Sequence, residues 1–182
     1  MIVRVAVIGP ECTGKTTLCR DLAAHYGTTW APEYLRAWVD LHPGREPMVS
    51  FDDTVAIAHA HAVGEEAAVA DARRVVFFDT DALVSAVYSA HYLGRVHPDL
   101  TRLARLRRPA HTLLLAPDVP WIPDGQRDLP QGRDAMFATF QEALVGHERP
   151  FEVITGPWDE RLARAIALVD GLLAAEASAD PR

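Results

Sequence analysis

The 182-residue sequence is long enough for one domain with a substantial hydrophobic core and hardly long enough for two. Hydrophobic residues make up 49% of it and charged residues 24%, as in an ordinary globular protein. The net charge of −7 disfavours generic DNA binding, and the densest run of arginines, within residues 102–108, is typical of a solvated helix face. No apolar run approaches membrane-spanning length, and Met1 leads directly into a predicted strand. We therefore expect a cytoplasmic protein without a signal peptide or a membrane partner.

The first predicted element is an apolar, β-branched strand at residues 2–8. It leads into GPECTGKT at residues 9–16, which matches the phosphate-binding pattern G-x-x-x-x-G-K-[S/T] at every specified position. Leu18, Leu22 and Tyr26 then recur at helical spacing, so the loop joins a strand to a helix. This order of elements is the one in which such a loop binds nucleotide phosphates.

Each residue type in this loop has a physical role. Gly9 and Gly14 let the backbone turn with its N–H groups toward a phosphate. Among the 18 basic residues only Lys15 is a lysine, and a compact ammonium suits a phosphate loop better than a planar guanidinium. The Thr16 hydroxyl is a candidate Mg²⁺ ligand. The predicted nucleotide-binding residues are Gly9, Glu11, Cys12, Thr13, Gly14, Lys15, Thr16 and Thr17.

The rest of the chain alternates between predicted strands and helices. A short strand at 28–31 precedes a helix that begins near Glu33 and ends at Leu41, and a long helix runs from a cap at Ser50 or Asp52 to Arg73. The remaining elements are a strand at 75–78, helices at 82–93 and 99–108, a strand at 111–115, a helix marked by residues 136–144, a strand at 151–154 and a last helix that includes residues 162–173.

This alternation predicts an α/β protein of the three-layer P-loop NTPase class, with about five parallel strands and helices on both faces. Residues 1–173 form the predicted domain, residues 174–182 a flexible tail, and residues 117–133 a short lid. The carboxyl ends of parallel strands meet at one edge, where ligands bind. The loop, Glu33, Asp79 and Asp81 all fall on that edge.

Asp79 follows an apolar strand and is the predicted second Mg²⁺ ligand beside Thr16. For Asp81 three roles are open: sharing the metal, contacting a substrate hydroxyl, or capping the helix at residue 82. Glu33 could take the proton of an acceptor hydroxyl, or it could be a first-turn acid favoured by the helix dipole. Arg36 could pair with Glu33, reach a phosphate or lie on the helix surface.

The polar lid contains Arg127 and Arg133, which we expect to close on the transferring phosphoryl group; the alternative is an ordinary surface loop. Cys12 and Cys19 are expected to be reduced thiols, because a disulfide would distort the phosphate loop. The histidines show no metal-binding spacing. His59 and His61, two residues apart on a helix, point in different directions.

A series of motifs narrows the family. The motifs are residues 9–17, Glu33-Tyr34-x-Arg36, Phe78-Asp79-Thr80-Asp81, Tyr92-x-Gly94-x-x-His97-Pro98 and Trp121-x-x-Asp124-Gly125-x-Arg127. This series resembles the ribosylnicotinamide kinase domain of the NAD-biosynthesis regulator NadR over nearly the whole chain, without that regulator's DNA-binding and adenylyltransferase parts. The resemblance implies transfer of the γ-phosphoryl group of ATP to the 5′-hydroxyl of nicotinamide riboside. It also implies ATP and Mg²⁺ at the loop and Asp79, with Arg127 on the lid. The candidate acceptor-binding residues are Glu33, Tyr34, Arg36 and Asp81.

One position departs from the family pattern. Family members carry a tryptophan directly before the Glu-Tyr pair, whereas this chain has Pro32 there and Trp30 two residues earlier. The alternatives are therefore a kinase for another nucleoside or small hydroxyl compound, or an ATP-dependent regulatory switch. A GTP switch is disfavoured, because the chain has no asparagine and no second lysine for a guanine-reading motif. The intact loop argues against a non-catalytic scaffold.

Overall fold

The computed structural model describes residues 1–43, 49–122 and 131–179, and in these ranges it contains five strands and seven helices. The strands are β1 Val3–Ile8, β2 Trp30–Ala31, β3 Val75–Asp79, β4 His111–Leu115 and β5 Phe151–Ile154. The helices are α1 Lys15–Tyr26, α2 Tyr34–Leu41, α3 Phe51–Asp71, α4 Ala82–Leu93, α5 Pro98–Leu106, α6 Arg133–Gly146 and α7 Trp158–Ala179.

The five strands are all parallel and lie in the order β2-β3-β1-β4-β5. The first strand is therefore central, with Val7 beside Asp79 on one side and beside Leu113 on the other. This order places the loop after β1 between the carboxyl ends of β3 and β4. The predicted five-stranded parallel sheet is confirmed.

Helices cover the sheet on both faces. Apolar side chains of α1 and α7, such as Leu18 and Val169, pack on one face, and those of α4 and α6, such as Leu83 and Phe140, pack on the other. A smaller cluster joins α3 to β2 and β3. Every residue of β3 is buried, which explains why this strand is a continuous apolar run rather than an alternating one.

The long helix α3 extends past the sheet. Its 21 residues span about 31 Å, whereas the five residues of β3 span about 17 Å. Ala68 near its C terminus packs on the sheet, so its N-terminal part reaches beyond the carboxyl edge, where Phe51 packs against His97. Ser50 is its N-cap: the Ser50 hydroxyl accepts from the Asp53 N–H, and the Asp53 carboxylate accepts from the Ser50 N–H.

Some boundaries differ from the prediction. β2 is shorter because the Thr28 N–H donates to the Ala23 carbonyl of α1 and not to a neighbouring strand. The hydroxyls of Thr28 and Thr29 then donate to the Val75 and Ala68 carbonyls. Helix α7 continues through Ala179, into the segment predicted to be a flexible tail, because its last turns are rich in alanine, the best helix former.

The run of arginines at 102–108 also differs from a purely solvated face. Arg107 is half-buried and donates to the carboxylates of Glu65 and Glu66 on α3, so it ties the end of α5 to that helix. Among the described helices, none combines the length and apolar character needed to cross a lipid bilayer.

Candidate active site

The backbone of the phosphate-binding loop, residues 9–16, requires glycine at two positions. Gly9 has a φ of 151°, and a Cβ there would lie 2.7 Å from the Leu115 carbonyl oxygen. Gly14 has a φ of 89°, and a Cβ there would lie 2.8 Å from the indole ring of Trp158. Cys12 takes a positive φ of 58° between them. The loop is thus tightly wound and in close contact with β4 and α7.

Hydrogen bonds inside the loop hold its shape. The buried Thr13 hydroxyl donates to the Pro10 carbonyl at 2.9 Å, and the Lys15 ammonium donates to the same carbonyl at 3.0 Å. Gly14 is the N-cap of α1 and has no side chain to accept from the first helical N–H groups. These N–H groups and the Lys15 ammonium are therefore available to an anion such as phosphate.

Thr16 and Asp79 meet beside the loop, as the strand order requires. The Thr16 hydroxyl donates to Oδ2 of Asp79 at 2.5 Å. Oδ1 of Asp79 is buried and has no hydrogen-bond partner among the described residues. Burial, followed by the negative charge of Glu33, raises the pKa of Asp79, although the Lys15 ammonium opposes this. A carboxylate oxygen without a partner beside a hydroxyl is a donor set that suits Mg²⁺.

Glu33 and Arg36 lie on the neighbouring segment that follows β2. Glu33 is the N-cap residue of α2, and its carboxylate lies 3.7 Å from Nε of Arg36. Both side chains are partly exposed, so this ion pair contributes little to stability. Glu33 raises the pKa of Asp79 and Arg36 lowers it, so both charges act on this carboxylate.

Tyr34, the first residue of α2, donates its backbone N–H to Nδ1 of His61 at 3.4 Å. His61 is buried on α3, and its Nε2 faces the Glu65 carboxylate at 3.4 Å. Burial raises the pKa of Glu65, while the nearby His61 and Arg107 oppose that shift. Sequence reasoning missed this cluster; the i, i+4 spacing of His61 and Glu65 is the signal that could have found it.

Asp81 is the N-cap of α4, one of the three roles that the sequence left open. Its Oδ1 accepts from the N–H groups of Leu83 and Val84 at 2.9 and 3.3 Å, and its Oδ2 pairs with the buried guanidinium of Arg149. Arg149 also donates to the Ala104 carbonyl. Both carboxylate oxygens of Asp81 thus have partners within the protein, and its role toward an acceptor stays a prediction.

The predicted lid is only partly described. Arg127 lies outside the described residues. Arg133 is the first residue of α6, donates to the Val119 carbonyl at 2.9 Å and lies 5.7 Å from the centre of the Trp121 ring. It therefore joins α6 to the segment that leaves β4. Cys12 reaches the same segment, because the Ile122 N–H donates to its sulfur at 3.0 Å.

Trp30 does not take the place of the aromatic residue that the family pattern has directly before Glu33. Trp30 packs against the core between α1 and α7. On α2 itself, Trp38 is buried and stacks on His42 with ring centres 4.4 Å apart. Trp30 thus differs from the family's tryptophan in its surroundings as well as in its place in the sequence.

Two further residues near the loop escaped prediction. Arg161 of α7 is fully buried and donates to the Thr13 carbonyl, and Asp118, which follows β4, pairs with it. No local motif marks either residue, because their partners lie far away in the chain.

Known proteins similar to this chain include NAD biosynthesis proteins and a nucleoside kinase. The trifunctional NAD biosynthesis/regulator protein NadR of Salmonella typhimurium (strain LT2) is 34% identical over 175 residues, which cover 93% of this chain and 42% of that protein. The chain thus spans less than half the length of this curated relative. A crystal structure of NadR protein in complex with NR has a TM-score of 0.82 at 24% identity, over 92% of this chain and 50% of that one.

Deoxyadenosine kinase from M. mycoides is a more distant structural neighbour, with a TM-score of 0.64 and 12% identity over 93% of this chain and all of that one (100%). These matches confirm the predicted P-loop kinase fold and the predicted similarity to NadR proteins. The family described as an AAA domain matches residues 4–161, from β1 and the phosphate loop to Arg161. Because that match covers most of the chain, this protein belongs to the AAA domain family.

Proposed function

We propose that this protein is an ATP-dependent kinase that transfers the γ-phosphoryl group of ATP to the 5′-hydroxyl of nicotinamide riboside, giving nicotinamide mononucleotide for NAD salvage. The observation that carries the proposal is the grouping of Lys15, Thr16 and Asp79 around the loop with Glu33 alongside. Similarity to NadR, an NAD biosynthesis protein, and to a NadR structure that holds NR supports this choice of acceptor.

On the donor side, the loop N–H groups and the first turn of α1 bind the phosphates of ATP. The Lys15 ammonium exchanges its bond with the Pro10 carbonyl for one with the outer phosphates. Thr16 and Asp79 would hold Mg²⁺, which when bound neutralises charge on the β- and γ-phosphate oxygens. The spare buried oxygen of Asp79 fits this role.

On the acceptor side, Glu33 orients the hydroxyl and accepts its proton. The hydroxyl oxygen forms a bond to the γ-phosphorus while the bond from that phosphorus to the bridging β-γ oxygen breaks, so ADP leaves in line. Arg36 pairs with Glu33 when the acceptor is absent, and Arg127 of the lid stabilises the charge of the transferring group. The protein thus acts by positioning and charge neutralisation.

Another nucleoside is the alternative to nicotinamide riboside as the acceptor. Trp30 is partly buried against the core, and Pro32 occupies the position where the family pattern has an aromatic residue. This difference favours testing other nucleosides in parallel. The reaction fits the cytoplasm, where ATP is present and Cys12 and Cys19, which form no disulfide, would stay reduced.

The first test measures ADP release by the purified protein with ATP and Mg²⁺, in the presence of nicotinamide riboside, purine and pyrimidine nucleosides, or no acceptor. A kinase is stimulated by its acceptor, whereas a regulatory ATPase hydrolyses ATP at a rate that nucleosides do not change. Lys15→Ala should abolish turnover while circular dichroism shows an intact fold.

Glu33→Gln should then lower kcat by about 10²- to 10⁴-fold with little change in ATP affinity, because only proton acceptance is lost. Asp40→Asn, an exposed acid on the same helix, is the matched control and should retain full activity. If Glu33→Gln retains the wild-type rate with the true acceptor, the assignment of the base is wrong.

A further inference from the structure

We propose that Arg161 is a positioning residue for the phosphate-binding loop, and that Arg161 and Asp118 together form a brace that sets the affinity for nucleotide phosphates. This inference rests on the proposed function, since it concerns the donor side of the same site. Neither residue belongs to a nucleotide-binding motif. Arg161 lies on the last helix and Asp118 on the segment after β4.

The Arg161 guanidinium joins three separate segments beneath the loop. Nη1 donates to the Thr13 carbonyl at 3.1 Å, Nη2 to the Ala116 carbonyl at 2.9 Å and Nε to the Gly156 carbonyl at 2.8 Å. Nη2 also pairs with Oδ1 of Asp118, whose Oδ2 accepts from the Gly156 N–H at 2.8 Å. The loop, the end of β4 and the start of α7 are thus held by one side chain.

The bond to Thr13 has a direct consequence for phosphate binding. In a trans peptide the carbonyl of one residue and the N–H of the next point in opposite directions. Because Arg161 holds the Thr13 carbonyl below the loop, the Gly14 N–H is turned to the opposite side. An inward-facing row of such N–H groups is what binds phosphate in a loop of this kind.

A second side chain of α7 contacts Gly14, the residue that follows Thr13. The indole ring of Trp158, one turn before Arg161, lies so close to Gly14 that no Cβ could be added there. Two side chains of the first turn of α7 therefore support consecutive residues of the loop, Trp158 by packing on Gly14 and Arg161 by hydrogen bonding to Thr13. Because two side chains of α7 support neighbouring residues of the loop, the contact of Arg161 is not an isolated one.

The burial of Arg161 also needs an explanation beyond stability. Its side chain is fully buried, and burial lowers the pKa of its guanidinium. Buried ion pairs contribute little net stability compared with apolar residues of similar size, because removing the charges from water is unfavourable. A guanidinium offers several donors in a fixed plane, which an apolar side chain cannot supply. We infer that the buried guanidinium serves to orient the backbone of the phosphate-binding loop.

The experiment compares the wild-type protein with Arg161→Lys, Arg161→Met and Asp118→Asn. Calorimetry measures ADP and ATP binding with Mg²⁺ and without acceptor, and steady-state kinetics measure kcat and both KM values. Arg161→Met should weaken nucleotide binding by about 10- to 100-fold. Arg161→Lys should restore part of the affinity, and Asp118→Asn should lose less than Arg161→Met. The KM for the acceptor should stay within about twofold in all of them.

Arg164→Met is the matched control, because Arg164 lies on the same helix and pairs with Glu152 at the surface. It should bind nucleotide as the wild type does. Thermal unfolding of each nucleotide-free variant reports the structural contribution separately. If the Arg161 variants do not fold, Asp118→Asn and Asp118→Ala decide the question, since the Asp118 side chain is 41% exposed.

The brace is refuted if nucleotide affinity changes by less than about twofold in the folded variants, or if both KM values rise together in proportion to lost stability. Failure of the proposed function gives a different result. If the wild-type protein binds no ATP or ADP, the kinase proposal and the brace fall together. If it binds nucleotide and the variants bind equally well, only the brace is wrong.

Discussion

The carboxylate of Asp79 is placed where it lowers the stability of the nucleotide-free protein. Its side chain is almost fully buried, and one oxygen has no partner among the described residues. Burial, together with the negative charge of Glu33, raises the pKa of Asp79. A carboxylate at such a position is unfavourable for folding alone, as is expected of a residue that serves the proposed reaction.

Asp79→Asn should therefore raise the free energy of unfolding of the nucleotide-free protein by about 1 kcal/mol at neutral pH, while it abolishes Mg²⁺-dependent turnover. The pKa of Asp79 is raised in the folded state above its ordinary 3.8, so folding favours the protonated side chain over the ionised one. The stability that comes from this preference is complete below pH 3.8 and is lost as pH rises through the raised pKa. The advantage of the asparagine variant should grow over that same window. Urea unfolding at several pH values measures it, and an equal loss of stability at every pH would contradict this account.

The site residues that the sequence predicts have partners nearby in the chain, whereas those that it misses have partners far away in the chain. Gly9, Gly14 and Lys15 could be predicted because their chemistry depends on neighbours within the loop. Arg161 could not, since it contacts Thr13 across 148 positions, and nothing local distinguishes it from a surface arginine. Asp81 is intermediate: a cap and a ligand look alike in sequence until the partners of the carboxylate are known.

At the scale of elements, the start of α2 depends on a residue of α3. Glu33, the N-cap of α2, makes no side-chain hydrogen bond to the first turn. The Tyr34 N–H, one of the groups that a helix start leaves without a partner, donates instead to Nδ1 of the buried His61. Glu65 faces the other ring nitrogen and is held by Arg107. The orientation of Glu33 thus depends on a cluster in the neighbouring helix.

His61→Ala should lower the free energy of unfolding by about 1–3 kcal/mol, because it leaves the Tyr34 N–H without its acceptor. It should also lower kcat more than it raises the KM for ATP, since Glu33 loses its support. Urea unfolding and steady-state kinetics check both effects. His59→Ala, at an exposed position on the same helix, should change stability by less than about 0.5 kcal/mol. Equal effects of the two substitutions would contradict the capping role.

The elements that sequence predicted well carry their own stop signals. β4, β5 and α4 have the predicted bounds, because Pro117 and Gly156 follow the two strands closely and Gly94 ends α4 with a φ of 65°. β2 was less predictable. The Thr28 N–H donates to the Ala23 carbonyl at the end of α1, and no local pattern in the sequence shows that this residue belongs to the helix end and not to the strand.

At the scale of the molecule, the central position of β1 determines the site. The loop after β1 meets Asp79 at the end of β3 on one side and the segment after β4 on the other. The last helix then returns to the loop through Trp158 and Arg161. The alternation of strands and helices predicted a shared edge, but the contact between the two ends of the chain follows only from the strand order.

The buried part of the last helix ends before the helix itself does. Leu173 is the last residue of α7 that is buried in the core, and the later residues of this helix are largely exposed. The ion pair between the amino terminus and Glu176 is also exposed, so it contributes little. Ending the chain after Leu173 should therefore change the free energy of unfolding by less than about 1 kcal/mol.

Ending the chain after residue 168 is the contrasting variant, because it also removes Val169 and Leu173 from the core between α1 and α7. Burial of two such side chains contributes about 3–6 kcal/mol, so this shorter chain should unfold at a much lower urea concentration. Urea unfolding of the two truncated proteins beside the full chain gives the comparison. If the chain ending at Leu173 is destabilised as strongly as the shorter one, the helix beyond residue 173 is part of the domain and the predicted boundary is wrong.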